Sequence, residues 1–145
     1  MRKSLALGLT ICSMLLILLL CISGRILYIK LYQQTYADIA GITVQSELKL
    51  SENDAALPTV TDEEQILAYA DLLGGYTYKA YPHLFKPGEE KLTANRLTVT
   101  FDNGNSISVN ADGYVFVNGK LRDLDDGRGQ ELYHKLYVLF YPNAL

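Results

Sequence analysis

The hydrophobic pattern of this chain changes character twice. Residues 5–23, LALGLTICSMLLILLLCIS, are apolar or uncharged throughout, with Arg2 and Lys3 directly in front. As a helix this run spans roughly 28 Å, close to the hydrocarbon thickness of a bilayer. The next stretch, RILYIKLYQQTYADIAG over 25–41, interleaves Tyr28, Tyr32 and Tyr36 with Arg25 and Lys30. It reads as an interfacial extension of the helix or as a helical stalk, ended by Gly41. From residue 42 onward the apolar positions recur only at short range. Residues 42–50, ITVQSELKL, alternate apolar with polar, the period of a half-buried strand. A polar loop containing Pro58 follows.

Thr61-Asp-Glu-Glu64 is a helix start, with Thr61 as cap and Glu64 reciprocating, and Ile66, Tyr69, Ala70 and Leu73 form one helical face. Gly74-Gly75 predicts its end in a left-handed turn. YTYKAYPHLFKPGEEK begins strand-like and becomes a loop at Pro82 and Pro87. Three short strands then follow over 96–101, 106–110 and 114–117, separated by the turns DNGN and ADG and closed by Asn118-Gly119. Tight turns make such strands antiparallel. KLRDL adds a further short strand, DDGRG a loop, and residues 130–141 a closing helix whose Leu132, Leu136, Leu139 and Phe140 cover the sheet, with Pro142 as its stop. The expected order is β-α-β-β-β-β-α. This is an α+β fold with an antiparallel meander and two helices behind an N-terminal transmembrane helix. The domains are an anchor or signal segment over 1–24, a juxtamembrane helix or linker over 25–41 and an extracytoplasmic domain over 42–145.

The apolar run gives an address. A single-pass anchor in the cell membrane, in contact with lipid through residues 5–23 and with the C-terminal domain outside the cytoplasm, fits its length and its basic start. A cleaved signal peptide has a shorter core, and lipidation at Cys21 asks for a small residue where Leu20 stands. Charge sharpens the picture. Residues 1–30 hold four bases and no acid, leaving nine bases against all 16 acids, about −7, in the rest of the 145-residue chain. Such a surface is a poor match for nucleic acid, which is held by Lys and Arg. Both cysteines, Cys12 and Cys21, lie in the apolar run, so the remainder has neither a disulfide nor a thiol nucleophile.

Candidate chemistry is sparse. His134 has Glu131 one turn before it, yet a zinc site wants three or four ligands. Counting a calcium loop from Asp123 puts Gly127 fifth, Arg128 sixth and His134 twelfth, so the spacing fails and a solvated turn is the better reading. No nucleophile elbow and no Gly-rich phosphate loop are present. Neither metal nor cofactor is implied. Eleven tyrosines with no tryptophan are the one compositional oddity. Tyr133, Tyr137 and Tyr141, at spacing four, suit the edge of a small core. Tyr76, Tyr78 and Tyr81, with His83 and Phe85 in the adjoining loop, are the candidate partner-binding surface, because tyrosine combines contact area with a polar tip.

The apolar start, the TDEE helix, LTVTFDNGNSISVNADGYVFVNGK and the final ELYHKLYVLF together resemble small exported domains of unknown function from Gram-positive bacteria, over roughly residues 42–141. That resemblance implies a membrane-tethered or lipid-anchored envelope protein and carries over no catalytic residue. The function expected is therefore non-catalytic binding, the partner being another envelope protein or a cell-wall component. The alternatives are an envelope hydrolase or metal-dependent enzyme using His134, Glu131 and the acids over 123–126, and a small membrane subunit of a larger complex.

Overall fold

Leu97 and Val99 alternate with Thr98, and Ile107 and Val109 with Ser108, so each strand turns its large aliphatic side chains to one side. That pattern organises the computed structural model, which describes residues 2–31, 33–82, 87–124 and 127–143. The chain falls into two compact units, Met1–Tyr32 and Gln33–Leu145.

The first unit is a single helix, α1 (Arg2–Leu31). Its side chains are described at residue 8 and over 10–26, all of them exposed. Among the described residues no helix is long and apolar enough to cross a membrane. The single-pass anchor and the cell-membrane location expected from the sequence are corrected on this finding.

The second unit is α+β. Its elements are α2 (Tyr36–Ala40), β1 (Lys49–Glu52), β2 (Ala55–Ala56), α3 (Glu63–Gly74), β3 (Tyr78–Ala80), α4 (Glu89–Leu92), β4 (Arg96–Thr100), β5 (Ser106–Asn110), β6 (Val115–Val117), β7 (Lys120–Leu124) and α5 (Gly129–Phe140). The strands form one seven-stranded sheet in the order β2-β1-β4-β5-β6-β7-β3, every pair antiparallel. The meander from β4 to β7 is where the turn signals put it, and α5 follows as expected. Leu97, Val99, Ile107, Val109, Val115 and Val117 on the sheet meet Ile66, Tyr69 and Leu73 of α3 and Leu132 and Leu136 of α5 in one core. Each such side chain contributes about 1.5–3 kcal/mol on burial.

Four local expectations are corrected. Residues 42–48 do not form a strand: Ile42 is fully exposed and Val44 81 % exposed, while the polar Gln45 is 7 % exposed. Gln45 Nε2 donates to the Ala40 carbonyl at 2.8 Å, and its Oε1 accepts from Asp102 N at 2.8 Å. Hydrogen bonding put Gln45 inside in place of Ile42 and Val44, while Leu48 and Leu50 are buried as the alternation predicts. The continuous strand begins only at Lys49, and Asn53-Asp54, both at positive φ, fold β1 back onto β2. Residues 25–41 are not one helix. After α1, Gln34 exchanges two backbone hydrogen bonds with Tyr78 at 2.8 and 2.9 Å, and α2 starts afresh in a capping box between Thr35 and Asp38. The cap of α3 is Asp62 rather than Thr61, its carboxylate accepting from Gln65 N at 2.9 Å. Gly75 ends that helix at φ −72°, without a left-handed residue.

The two sheet edges are finished differently. Past β2, Leu57 N donates to the Leu50 carbonyl, and Leu48 and Val60 exchange backbone bonds at 2.8 and 2.9 Å, so residues 57–60 run on along the edge with Pro58 among them. At the opposite edge the outer side of β3 is met by Gln34.

A close backbone approach joins the β5–β6 turn to the start of α5. Gly113, at φ +83°, lies so near that a Cβ there would stand 2.6 Å from Gln130 N, and a Cβ on Gly129 would overlap the Gly113 carbonyl oxygen. Gly119 is also left-handed, at φ +74°, but has open space around its Cβ position. Gly119→Ala should therefore cost only the left-handed penalty, about 1–2 kcal/mol. Gly113→Ala and Gly129→Ala should each cost about 3 kcal/mol or more, because α5 must move off the sheet. Urea unfolding of the three variants checks the difference.

Candidate functional site

The edge segment 57–62 and the end of α5 leave a groove between them. The segment is held to the sheet by the Leu57 and Val60 hydrogen bonds and fastened to α3 by the Asp62 cap, so its path is fixed at both ends. Leu57, Pro58 and Val60 form one wall and Leu139, Phe140 and Pro142 the other, with Leu50 and Tyr69 also lining the cleft. It is open to solvent and has a volume of about 520 Å³. Tyr69 and Phe140 meet edge to face with ring centroids 6.1 Å apart, the favoured arrangement for two aromatic quadrupoles.

Tyr141 fixes the far end. Its hydroxyl donates to Glu52 Oε2 on β1, tying the helix terminus to the sheet. Tyr137 stacks obliquely on Tyr141 at 4.9 Å, and Tyr133 on Tyr137 at 6.2 Å. The hydrogen bond to Glu52, with burial and the carboxylate charge behind it, pushes the Tyr141 phenol up to about 12. Burial alone pushes Tyr69 to about 12. Tyr133 is raised by burial first and Glu52 second. These rings cover the rim of the core, as their spacing suggested, with Tyr137 40 % exposed.

Of the partner surface expected from the sequence, Tyr76 and Tyr78 are inside. Tyr78 is 0 % exposed and its hydroxyl donates to the Leu73 carbonyl at 2.9 Å; Tyr76 is 5 % exposed. The Arg128 guanidinium lies 4.9 Å from the Tyr76 ring centroid, and the Tyr76 hydroxyl reaches Glu131 at 3.5 Å. Buried rings present no area to a partner, so both belong to the core. Tyr81 is half-buried. Burial raises its phenol, with Tyr114 and Asp123 adding to the effect. His83 and Phe85 lie outside the described residues.

Of the residues of the enzyme alternative, Asp123, Glu131 and His134 are described. His134 is exposed, while Glu131 accepts from Lys135 Nζ at 2.5 Å, and that bond holds its carboxyl below the ordinary range. Among the described residues no group of three His, Cys, Asp or Glu could hold a metal ion. Asp125 and Asp126 lie outside the described residues.

A smaller recess of about 380 Å³ is lined by Ser46, Lys49, Phe101 and Asp102. Its carboxylate is already engaged: Asp102 accepts from Ser46 N at 2.6 Å, Ser46 Oγ at 3.0 Å and Glu47 N at 3.3 Å. The Ser46 backbone bond is the main cause of its lowered pKa. Asp102 fastens the 46–47 loop to the β4–β5 turn. No protein family, curated protein or solved structure matches this chain.

Sequence reasoning missed the groove because its walls lie far apart in the chain. The visible clues were Pro58 in an otherwise apolar-polar stretch and Tyr141 beside the stop at Pro142. Two outcomes follow from the buried tyrosines. Tyr78→Ala should cost about 3–5 kcal/mol and Tyr78→Phe only about 1 kcal/mol, both read by chemical unfolding. Tyr69, Tyr78 and Tyr141 are each held protonated above the ordinary value of 10.0. The folded chain then binds more protons than the unfolded chain above pH 10, so their contribution is complete below about pH 10 and is lost as pH rises through about 12. Tyrosinate absorbance should show a group of late-ionising phenols, one fewer in Tyr141→Phe.

Proposed function

We propose that this chain is a non-catalytic binding domain that holds a segment of a partner protein in the groove between residues 57–62 and the end of α5. The groove itself carries the reading. The sheet's aliphatic side chains are buried in one core, and beside it Pro58, Leu139, Phe140 and Pro142 surround a space of about 520 Å³ open to solvent. Concave, mainly apolar sites with a few polar groups at the lip are where proteins take up ligands. The walls are pre-formed, one by backbone pairing to β1 and the other by the Tyr141–Glu52 bond, so little ordering would be needed on binding.

A photoreactive phenylalanine analogue at Thr59, which is exposed on the lip, should give a discrete crosslinked adduct in the native cell. The same analogue at Lys120, exposed on β7, should not. Equal labelling from both positions, or none from Thr59, rejects the groove as the working surface.

A further inference from the structure

The groove's electrostatics narrow the chemistry of its occupant, an inference that rests on the binding reading above. Asp62 lines the cleft, and Glu63 and Glu64 follow it in the exposed first turn of α3. None of the described lining residues is basic. The start of α3 carries about half a positive charge from its backbone dipole, which three carboxylates in one turn outweigh. At the other end Glu52 adds a fourth carboxylate, engaged by the Tyr141 hydroxyl. The unit as a whole is acidic as well, nine bases against 16 acids beyond residue 30. An apolar slot with a negative rim attracts one kind of ligand and repels its mirror image.

We infer that the occupant is a short peptide segment of another protein that carries lysine or arginine beside its apolar anchors. The apolar side chains fill the space between Pro58 and Phe140, and the basic groups lie toward Asp62, Glu63 and Glu64. This arrangement divides the work. Burial of the anchors supplies the affinity, and the carboxylates set the sign of the partner and hasten its arrival.

The test uses the full chain in dilute nonionic detergent with three fluorescein-labelled hexapeptides, Lys-Leu-Phe-Lys-Leu-Lys, Glu-Leu-Phe-Glu-Leu-Glu and Lys-Ser-Ser-Lys-Ser-Lys, followed by anisotropy. The lysine–leucine peptide should bind at least about tenfold more tightly than either control at low salt. That preference over the glutamate peptide should shrink between about 0.05 M and about 0.5 M salt as screening shortens the reach of the charges. Glu63→Gln with Glu64→Gln should narrow it likewise, with unchanged thermal stability showing that α3 is intact. Thr59→Trp, which fills the lip, should weaken all groove binding. Equal affinity for the lysine and glutamate peptides, both lost in Thr59→Trp, would overturn the basic partner and leave the groove standing. Equal binding of the lysine–serine peptide would overturn it by showing charge attraction alone. No binding, or binding indifferent to Thr59→Trp, would overturn both the occupant and the groove.

Discussion

Water has to be kept off one face of a seven-stranded sheet, and the helices that do so are narrow for the task. Strands about 4.8 Å apart make a surface roughly 29 Å across, whereas two helices side by side cover about 20 Å. α5 lies over β4 and β5, with α3 packed beside it. The flanks are left to smaller pieces. Ile39 and Ala40 of α2 close over the core near the β4–β5 turn, and Tyr76 and Tyr78 join it near β3. Beside β1, residues 57–62 continue the cover, and the groove lies between them and the end of α5. The groove is what remains when the covering runs out.

The abundance of tyrosine follows from the same shortage. Near the rim of a small core a large ring is wanted for its area, while its outer end must meet something polar. Tyr78 satisfies its hydroxyl on the Leu73 carbonyl, Tyr76 approaches Glu131, and Tyr141 finds Glu52 on a strand far away in sequence. Phenylalanine would fill the same volumes and lose these ties, which fix how the helices sit on the sheet.

What could be read from the sequence divides along the range of the interactions. The meander was legible because Asn118-Gly119, Ala111-Asp112-Gly113 and the alternation over 96–110 are decided within a few residues. α5 was legible because Leu132 and Leu136 recur at its period. Residues 42–50 misled because alternation indicates only that two sides differ. It was Asp102, more than fifty positions later, that took up Ser46 and Glu47 and put Gln45 inside. Two tyrosines of the candidate surface were misplaced for a related reason. Tyr76 and Tyr78 have the residue type of a binding surface, and only the packing of β3 beneath α3 decides that they are core. The apolar run at the start was the strongest signal in the chain, and over the described residues it does not amount to a membrane-crossing helix.

The finished edges of the sheet bear on how copies of this domain behave together. An unpaired strand edge is a template on which another chain can extend the sheet. Here Pro58 removes a donor from the segment beside β1, and Gln34 already occupies the outer side of β3 at Tyr78. Neither margin offers a long row of free amide groups. Copies brought to high local density would therefore meet through side chains rather than zip edge to edge into a continuous ribbon.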